Sequence, residues 1–174
     1  YDYSVSSFIY TSSELSTLAG KSIYKIEFEM SNVNNDTYSM NNQTLSLGHT
    51  TLNEFNSSLR ANLSNMTNLT NFGAVKTNFS WVITGTSVGT QWFEVDFTGN
   101  EFVYDGTKNL VVHWLNNDGT YINGTSSTPS GLRNGLSGTQ PFNSMYLFQD
   151  NTIITNQFVT RDSTGRLNIR IYYV

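Results

Sequence analysis

Ile23-Tyr24-Lys25-Ile26-Glu27-Phe28-Glu29-Met30 is the stretch that decides the fold class. Its apolar and charged residues alternate with the period of two that a half-buried β-strand requires, and Tyr24 is predicted to share a face with Ile26. Two further stretches alternate in the same way, Trp92 to Phe97 and Leu167 to Tyr173. The sequence therefore predicts β-strands whose one face is buried and whose other face meets solvent.

A fourth segment has a different character. Leu110 to Leu115 is apolar on both faces, apart from His113, and is followed by the turn residues Asn116 to Gly119. Such a segment is typical of a central strand that is covered on both sides. Shorter candidate strands complete the pattern: Ser7 to Tyr10, Thr44 to Leu47, Ser80 to Thr84, Ser144 to Phe148 and Ile153 to Val159.

Helical signals are few. A short turn is predicted around Ser12 to Leu18, which Gly20 closes. From Asn53 to Asn71 the leucines have roughly helical spacing, yet Asn and Thr are poor helix formers, so a helix and a long loop both remain open.

With 174 residues and no linker, the chain is predicted to form one antiparallel β-sandwich domain over residues 1–174, with short helical turns. A second long loop, Thr120 to Gly138, is a natural binding rim.

Composition excludes several classes of function. Only 13% of the residues are charged and the net charge is −4, without a basic stripe, so nucleic acid is not an expected partner. The absence of Cys removes thiolate catalysis, disulfides and Cys-based zinc sites. No apolar run reaches the roughly 20 residues that span a bilayer, so membrane insertion is not expected. The polar, weakly charged composition favours an extracellular, cell-surface or virion-surface protein.

Several segments resemble a β-sandwich module of Bacteroidetes secreted and cell-surface adhesins and type IX-secreted proteins. The resemblance rests on Ile9 to Leu15, Ile23 to Phe28, Leu45 to Thr51 with Phe55, and Phe102 to Val112, in that order. It implies a jelly-roll-like accessory domain used for adhesion or carbohydrate binding. The Asn-rich insert between Phe55 and Trp81 departs from the pattern.

Aromatic residues are the strongest candidates for ligand contact, because flat rings stack on sugars while amides and carboxylates bond the hydroxyls. Trp92 is predicted to face away from Phe93, Val95 and Phe97, and Tyr121 and Tyr172 are predicted to join it in a binding platform. The alternative interpretation places Trp92 under a sheet edge. Trp81 and Trp114 are predicted core residues.

Three aspartates are candidate ligands of a structural Ca²⁺ ion, because loop carboxylates supply the oxygen atoms that this cation needs. They are Asp36, Asp105 and Asp118. No other cofactor is expected. Asp105-Gly106 and Asp118-Gly119 are also ordinary turn signals, in which Asp bonds the backbone.

Catalysis is not predicted. His49 and His113 have no acid or nucleophile at a recognisable spacing, and both are interpreted as structural. Glu94, Asp96, Glu101 and Asp105 are close enough in sequence to suggest the paired acid and base of a glycosidase, and Glu94 and Asp96 share a strand face, but surface solubility explains them better.

The sequence thus favours a non-catalytic extracellular module that binds a glycan or a cell-surface protein. The alternative is a structural virion or filament subunit, assembled through the terminal strands Tyr1 to Tyr10 and Leu167 to Val174.

Overall fold

The computed structural model describes residues 3–33, 37–55, 69–84, 89–120, 131–132, 143–151, 160–162 and 166–174. Eleven strands and one 3-10 helix, Ser16–Leu18, form this part of the chain. The strands are β1 (Tyr3–Tyr10), β2 (Ser22–Val33), β3 (Thr37–Thr50), β4 (Leu69–Thr84), β5 (Gly89–Asp96), β6 (Phe102–Val103), β7 (Asn109–Asn116), β8 (Gly131–Leu132), β9 (Ser144–Gln149), β10 (Thr160–Asp162) and β11 (Ile169–Tyr173).

The strands form two antiparallel sheets. The larger sheet has the order β10-β9-β1-β7-β3-β4, and the smaller one is built around β2, with β11 on one side and β5 on the other. Because Met30 pairs with both Gln91 and Leu132, the short β8 lies on the β11 side of β2. The predicted antiparallel β-sandwich with a short helical turn is confirmed. No helix among the described residues has the length and apolar character to cross a membrane.

The main core lies between the two sheets. Trp81 and Trp114 are buried there as predicted, and both rings meet Phe28 edge-on, at centroid distances of 6.0 and 5.2 Å. Ile26 and Val95 are also almost fully buried. Burial of this apolar surface is the main favourable contribution to the stability of a cysteine-free domain.

The predicted central strand is confirmed. β7 pairs with β1 on one side and with β3 on the other. The face of β7 that points away from the main core is covered as well: Val111 belongs to a second small cluster with Ile9, Phe55 and Met145. Both faces of β7 are therefore buried, as its unbroken apolar run requires.

The predicted alternation in β2 is wrong at one residue. Tyr172 pairs with Lys25 and Tyr173 pairs with Ile23, so Tyr24 is an extra residue at a bulge in the ladder. Ile23 is fully buried, whereas the ring of Tyr24 lies 6.5 Å from that of Tyr172. An extra residue at a bulge shifts by one the alternation of side chains between the two faces of the sheet. For this reason Tyr24 does not point into the core.

β3 and β4 form a long, irregular ribbon with four shifts of register. Asn42, Asn71 and Asn78 adopt positive φ within it, a conformation that Asn tolerates better than most residues. The helix or loop predicted from Asn53 to Asn71 is too long at its end, because β4 already begins at Leu69. Residues 56–68, which hold most of the segment with helical spacing, lie outside the described residues, as do Ile153 to Val159.

The two terminal strands have different environments. β1 is paired on both sides, with β7 and with β9, so it is not a sheet edge. Exchange of β1 between subunits would break both ladders. β11 pairs with β2 alone in the part of the chain that the structure describes.

Candidate functional site

The solvent-facing side of the smaller sheet collects most of the predicted ligand-contact residues. We call it the outer face. Its side chains come from three adjacent strands, with β2 in the middle, and from Asn168, which precedes β11: Lys25, Glu27, Glu29, Trp92, Glu94, Asp96, Asn168, Arg170 and Tyr172. They reach this face because the alternate residues, such as Ile26, Phe28 and Val95, point into the core.

Trp92 lies on β5, directly opposite Glu29 of β2. It faces away from the buried Val95 and Phe97, as predicted, and is half-buried. The guanidinium carbon of Arg170 lies 3.9 Å from the centroid of its ring. This is the geometry of a cation–π contact, so one side of the indole already has a partner.

Tyr172 lies on β11, on the other side of β2, opposite Lys25. The Nζ atom of Lys25 is 4.0 Å from the centroid of the Tyr172 ring. A hydrogen bond with the Glu27 carboxylate, and to a lesser extent burial, raise the pKa of the Tyr172 phenol. The structure thus brings Trp92 and Tyr172 to one face, where each ring is stacked with a cation. The spacing of the strands and of the residues along them places the two Cα atoms about 16 Å apart. Tyr121 lies outside the described residues.

Ion pairs and amide hydrogen bonds connect the three strands across the outer face. Lys25 Nζ lies 3.0 Å from Glu94 Oε2, and Arg170 Nη1 lies 3.4 Å from Glu27 Oε2. Asn168 Nδ2 donates to Glu29 Oε2 at 2.5 Å. The hydrogen bond to Glu94 is the main reason that the pKa of Lys25 is raised. These contacts hold the polar groups at defined positions beside the two aromatic rings.

Glu94 and Asp96 lie on the outer face, as the glycosidase interpretation required, and both are exposed. Glu94 is occupied by the ion pair with Lys25. The backbone N–H of Thr98 is the largest of the influences that lower the pKa of Asp96, so this carboxyl stays ionised. A glycosidase needs one carboxylic acid whose pKa is raised, whereas the pKa of Asp96 is lowered.

Asp105 is a structural turn residue. Its Oδ1 accepts hydrogen bonds from the backbone N–H groups of Thr107 and Lys108 and from the Thr107 hydroxyl. Its Oδ2 lies 3.6 Å from the ammonium group of Lys108. Burial raises its pKa, but the hydrogen bonds from Lys108 and Thr107 outweigh burial and lower the pKa to about 2.

Asp118 has a similar role at the other end of β7. Its Oδ2 accepts from the backbone N–H of Asn41, and its Oδ1 from the hydroxyl of Thr120. Asp105 and Asp118 flank opposite ends of an eight-residue strand, about 25 Å long. They cannot bind the same ion, and their oxygens already accept protein donors, as expected of turn residues. Binding of a separate Ca²⁺ ion at either residue stays a prediction.

Clusters of metal-ligating side chains are absent from the described ranges. The residues that the structure describes contain no group of three or more His, Asp or Glu side chains able to hold a metal ion. Asp36 lies outside those residues, so its assignment stays a prediction.

The two histidines lie on opposite faces of the larger sheet and cannot form a two-histidine site. His49 is fully buried towards the core, where its Nε2 accepts the backbone N–H of Asp105 at 3.0 Å. Burial lowers its pKa, and the nearby Asp105 carboxylate opposes this effect. His113 points to the other face, where Nδ1 lies 2.8 Å from the hydroxyl of Ser7.

The Ser7–His113 pair is a contact that sequence reasoning missed. Burial lowers the pKa of His113 to about 4, so the imidazole is neutral at physiological pH. Ser7 is only 1% exposed, which prevents a substrate from reaching its hydroxyl. No signal in the sequence links the two residues, because their contact depends on the register between β1 and β7. We interpret the pair as a structural hydrogen bond.

Comparison with known proteins gives no family assignment. No family model matches the chain, and neither a curated protein nor a solved structure matches it. The resemblance to Bacteroidetes adhesin modules therefore stays a prediction.

Proposed function

We propose that this domain is a non-catalytic, extracellular binding module for a glycan or a glycan-bearing cell-surface protein, and that the outer face is its binding surface. The observation that carries the proposal is the presence of Trp92 and Tyr172 on one face, beside polar groups that ion pairs hold in place. Aromatic rings supply the apolar contact that sugar rings need, while charged and amide groups bond the hydroxyls.

The cations that stack on the rings define how a sugar is bound. A sugar that stacks on the Arg170 side of Trp92 displaces the guanidinium, which then donates hydrogen bonds to the ligand. Asn168 and Glu29 lie at the same end of the face and provide further donors and acceptors. The binding energy is the difference between the new contacts and the cation–π contact that is lost, so we expect modest affinity for a single sugar.

Glycan-array binding followed by calorimetry tests this proposal. Trp92→Ala is expected to weaken binding at least about 10-fold, because a stacked aromatic ring contributes one to several kcal/mol to such a contact. Phe72→Ala is the matched control, because Phe72 is a partly exposed aromatic residue on the other sheet. Thermal unfolding checks that both variants stay folded.

Two outcomes contradict the proposal. One is that the wild-type domain binds no glycan on the array. The other is that Trp92→Ala and Phe72→Ala reduce binding equally. Hydrolysis of a bound glycan that is lost in Glu94→Gln or Asp96→Asn would instead identify the domain as an enzyme.

A further inference from the structure

The exposed edges of the two sheets are protected to different extents. β4 is one edge of the larger sheet, and β10 is the other. The ladder of β4 with β3 is broken by register shifts, with positive φ at Asn71 and Asn78. The side chain of Asn100 also donates to the backbone carbonyl of Val75 at 2.8 Å. Bulges and side-chain caps of this kind prevent an edge from pairing with another strand.

The β5 edge of the smaller sheet is protected by side chains of β4. The residues of β5 whose backbone groups point away from β2 include Glu94 and Asp96. The carbonyl of Glu94 accepts Trp81 Nε1 at 3.1 Å, and the carbonyl of Asp96 accepts Lys76 Nζ at 2.5 Å. This side of the sandwich is therefore closed, and an incoming strand would have to displace these bonds.

The β11 edge differs from both. Asn168 and Val174 form backbone hydrogen bonds with β2, at 3.1 Å to Glu29 and 3.0 Å to Ser22. Because the bonding alternates in an antiparallel pair, the N–H and C=O groups of the odd residues Ile169, Ile171 and Tyr173 point away from β2. Within the described ranges, no side chain caps these groups, β11 contains no Pro, and the extra residue at the bulge is in β2.

We propose that β11 pairs in antiparallel fashion with β11 of a second copy of this chain, which joins two smaller sheets into one continuous sheet. This inference goes beyond the proposed binding function and does not depend on it. When all five residues of β11 pair with the five residues of β11 in the second copy, the two-fold axis that relates the copies passes at Ile171. Ile169 then lies opposite Tyr173 of the second copy, and Arg170 lies opposite Tyr172.

The residues that meet in this register are compatible. On the core side, Ile171 meets its own copy, and β-branched residues are favourable cross-strand partners. On the outer side, each Arg170 faces a tyrosine, so the pairing places no like charges directly opposite each other. Tyr173 and Val174 are 41% and 74% exposed, which leaves the end of the strand accessible. The contact is small, so we expect a weak dimer whose population rises with concentration.

Sedimentation analysis over a concentration series, up to about 1 mM, tests the pairing. Tyr173→Pro removes an amide donor that points away from β2, so it leaves the β2–β11 ladder intact. Each dimer loses two hydrogen bonds, and association is expected to weaken roughly 10- to 30-fold. Tyr173→Ala is the matched control, since it truncates the same side chain but keeps the amide. A wild-type chain that stays monomeric throughout, or equal association of the Pro and Ala variants, overturns the proposal.

A crosslinking experiment tests the register independently, and it remains informative if Tyr173→Pro unfolds. The chain contains no cysteine, so introduced thiols have no other partner. In this register residues 170 and 172 are a non-hydrogen-bonded pair, whose Cα atoms lie about 4.5 Å apart, within disulfide range. Arg170→Cys combined with Tyr172→Cys is expected to form a disulfide-linked dimer on oxidation, and Arg170→Cys alone is not. Absence of a linked dimer in the double variant contradicts this register.

Discussion

Tyr10 Oη donates a hydrogen bond of 2.7 Å to the carbonyl oxygen of Leu167, and this bond connects the end of β1 to the segment that leads into β11. Both residues are buried. The guanidinium carbon of Arg166 lies 4.5 Å from the centroid of the Tyr10 ring, and Arg166 Nη1 donates to the carbonyl of Ile9. The larger and the smaller sheet are thus joined by polar contacts at this end of the sandwich.

Tyr10→Phe is expected to lower the free energy of unfolding by about 1–3 kcal/mol, because the substitution leaves the buried carbonyl of Leu167 without its donor. Urea denaturation measures this change. Tyr173→Phe is the control, since Tyr173 is exposed and its substitution is expected to change stability by no more than about 0.5 kcal/mol. An equal effect of the two substitutions would show that the buried bond contributes nothing.

The ion pair between Glu14 and Arg166 makes stability depend on pH. Arg166 is the main reason that the pKa of Glu14 falls from 4.5 to about 2. Because the folded-state pKa is the lower one, the stabilisation is complete above pH 4.5 and is lost as the pH falls towards 2. We expect Glu14→Gln to cost about 1 kcal/mol at neutral pH, since the carboxylate is partly exposed and screened.

The measurement is the difference in unfolding free energy between the wild type and Glu14→Gln from about pH 7 to about pH 2. The difference is expected to shrink below pH 4.5. In an Arg166→Gln background, Glu14→Gln is expected to cost less, and the remaining cost comes from the hydrogen bonds that Thr11 donates to the same carboxylate. A difference that is constant with pH would contradict the assignment to this ion pair.

A buried polar chain supports the far end of β7. Trp114 Nε1 donates to Gln43 Oε1 at 2.6 Å, and Gln43 Nε2 donates to the carbonyl of Asn41 at 2.7 Å and to Asn116 Oδ1. Gln43 is fully buried. Gln43→Leu is expected to destabilise the fold by about 2–3 kcal/mol, because the indole N–H of Trp114 loses its acceptor in the core.

A double-mutant cycle checks this explanation. Trp114→Phe removes the indole N–H, so Gln43→Leu is expected to cost at least about 1 kcal/mol less in that background. Chemical denaturation of the wild type, the two single variants and the double variant gives the coupling energy. Additive effects would mean that the two side chains do not stabilise each other.

Much of the fold could be predicted from the sequence where one local rule applies. The alternation in Ile26 to Met30 indicates a strand with one solvent-facing side, and the unbroken apolar run from Leu110 to Leu115 indicates a central strand. Each signal is contained in the strand itself. The core positions of Trp81 and Trp114 could be predicted for the same reason.

Register and bulges could not be predicted in this way. Tyr24 leaves the core face because of an extra residue in the ladder with β11, which is distant in sequence. The ribbon of β3 and β4 was missed in part because Asn71 and Asn78, with positive φ, interrupt the period of two. Strands with such irregularities lack the pattern on which the prediction depends.

In the candidate site, too, local features could be predicted from the sequence and contacts between distant strands could not. The outward direction of Trp92 follows from the alternation within β5, and was predicted. Its contact with Arg170 depends on the pairing of both β5 and β11 with β2, so the sequence alone could not predict this contact. The turn role of Asp105 is local, and its Asp-Gly signal indicated it. Asp118 bonds Thr120 locally as well, but its bond with Asn41 depends on a distant segment and could not be predicted.

The turn of residues 104–108, which connects β6 to β7, packs at Gly106 against Ala19, the residue that follows the 3-10 helix. Gly106 has a φ of +76°, and a Cβ atom there would lie 2.4 Å from the Cβ of Ala19. Gly106→Ala therefore combines a disfavoured backbone conformation, which costs about 1 kcal/mol, with a steric clash. Gly99 is the matched control, because its φ is +91° but a Cβ atom there would have no neighbouring atom within 4 Å.

Gly106→Ala is expected to lower the free energy of unfolding by about 2–4 kcal/mol, and Gly99→Ala by only about 1 kcal/mol. Ala19→Gly removes the Cβ atom at 2.4 Å but leaves the Ala19 Cα at 2.8 Å, so it should recover part of the loss when combined with Gly106→Ala, while Ala19→Gly alone is not stabilising. Urea denaturation of all four variants separates the steric contribution from the backbone contribution. Equal losses in Gly106→Ala and Gly99→Ala would mean that the contact with Ala19 relaxes freely and that the turn is not fixed by this packing.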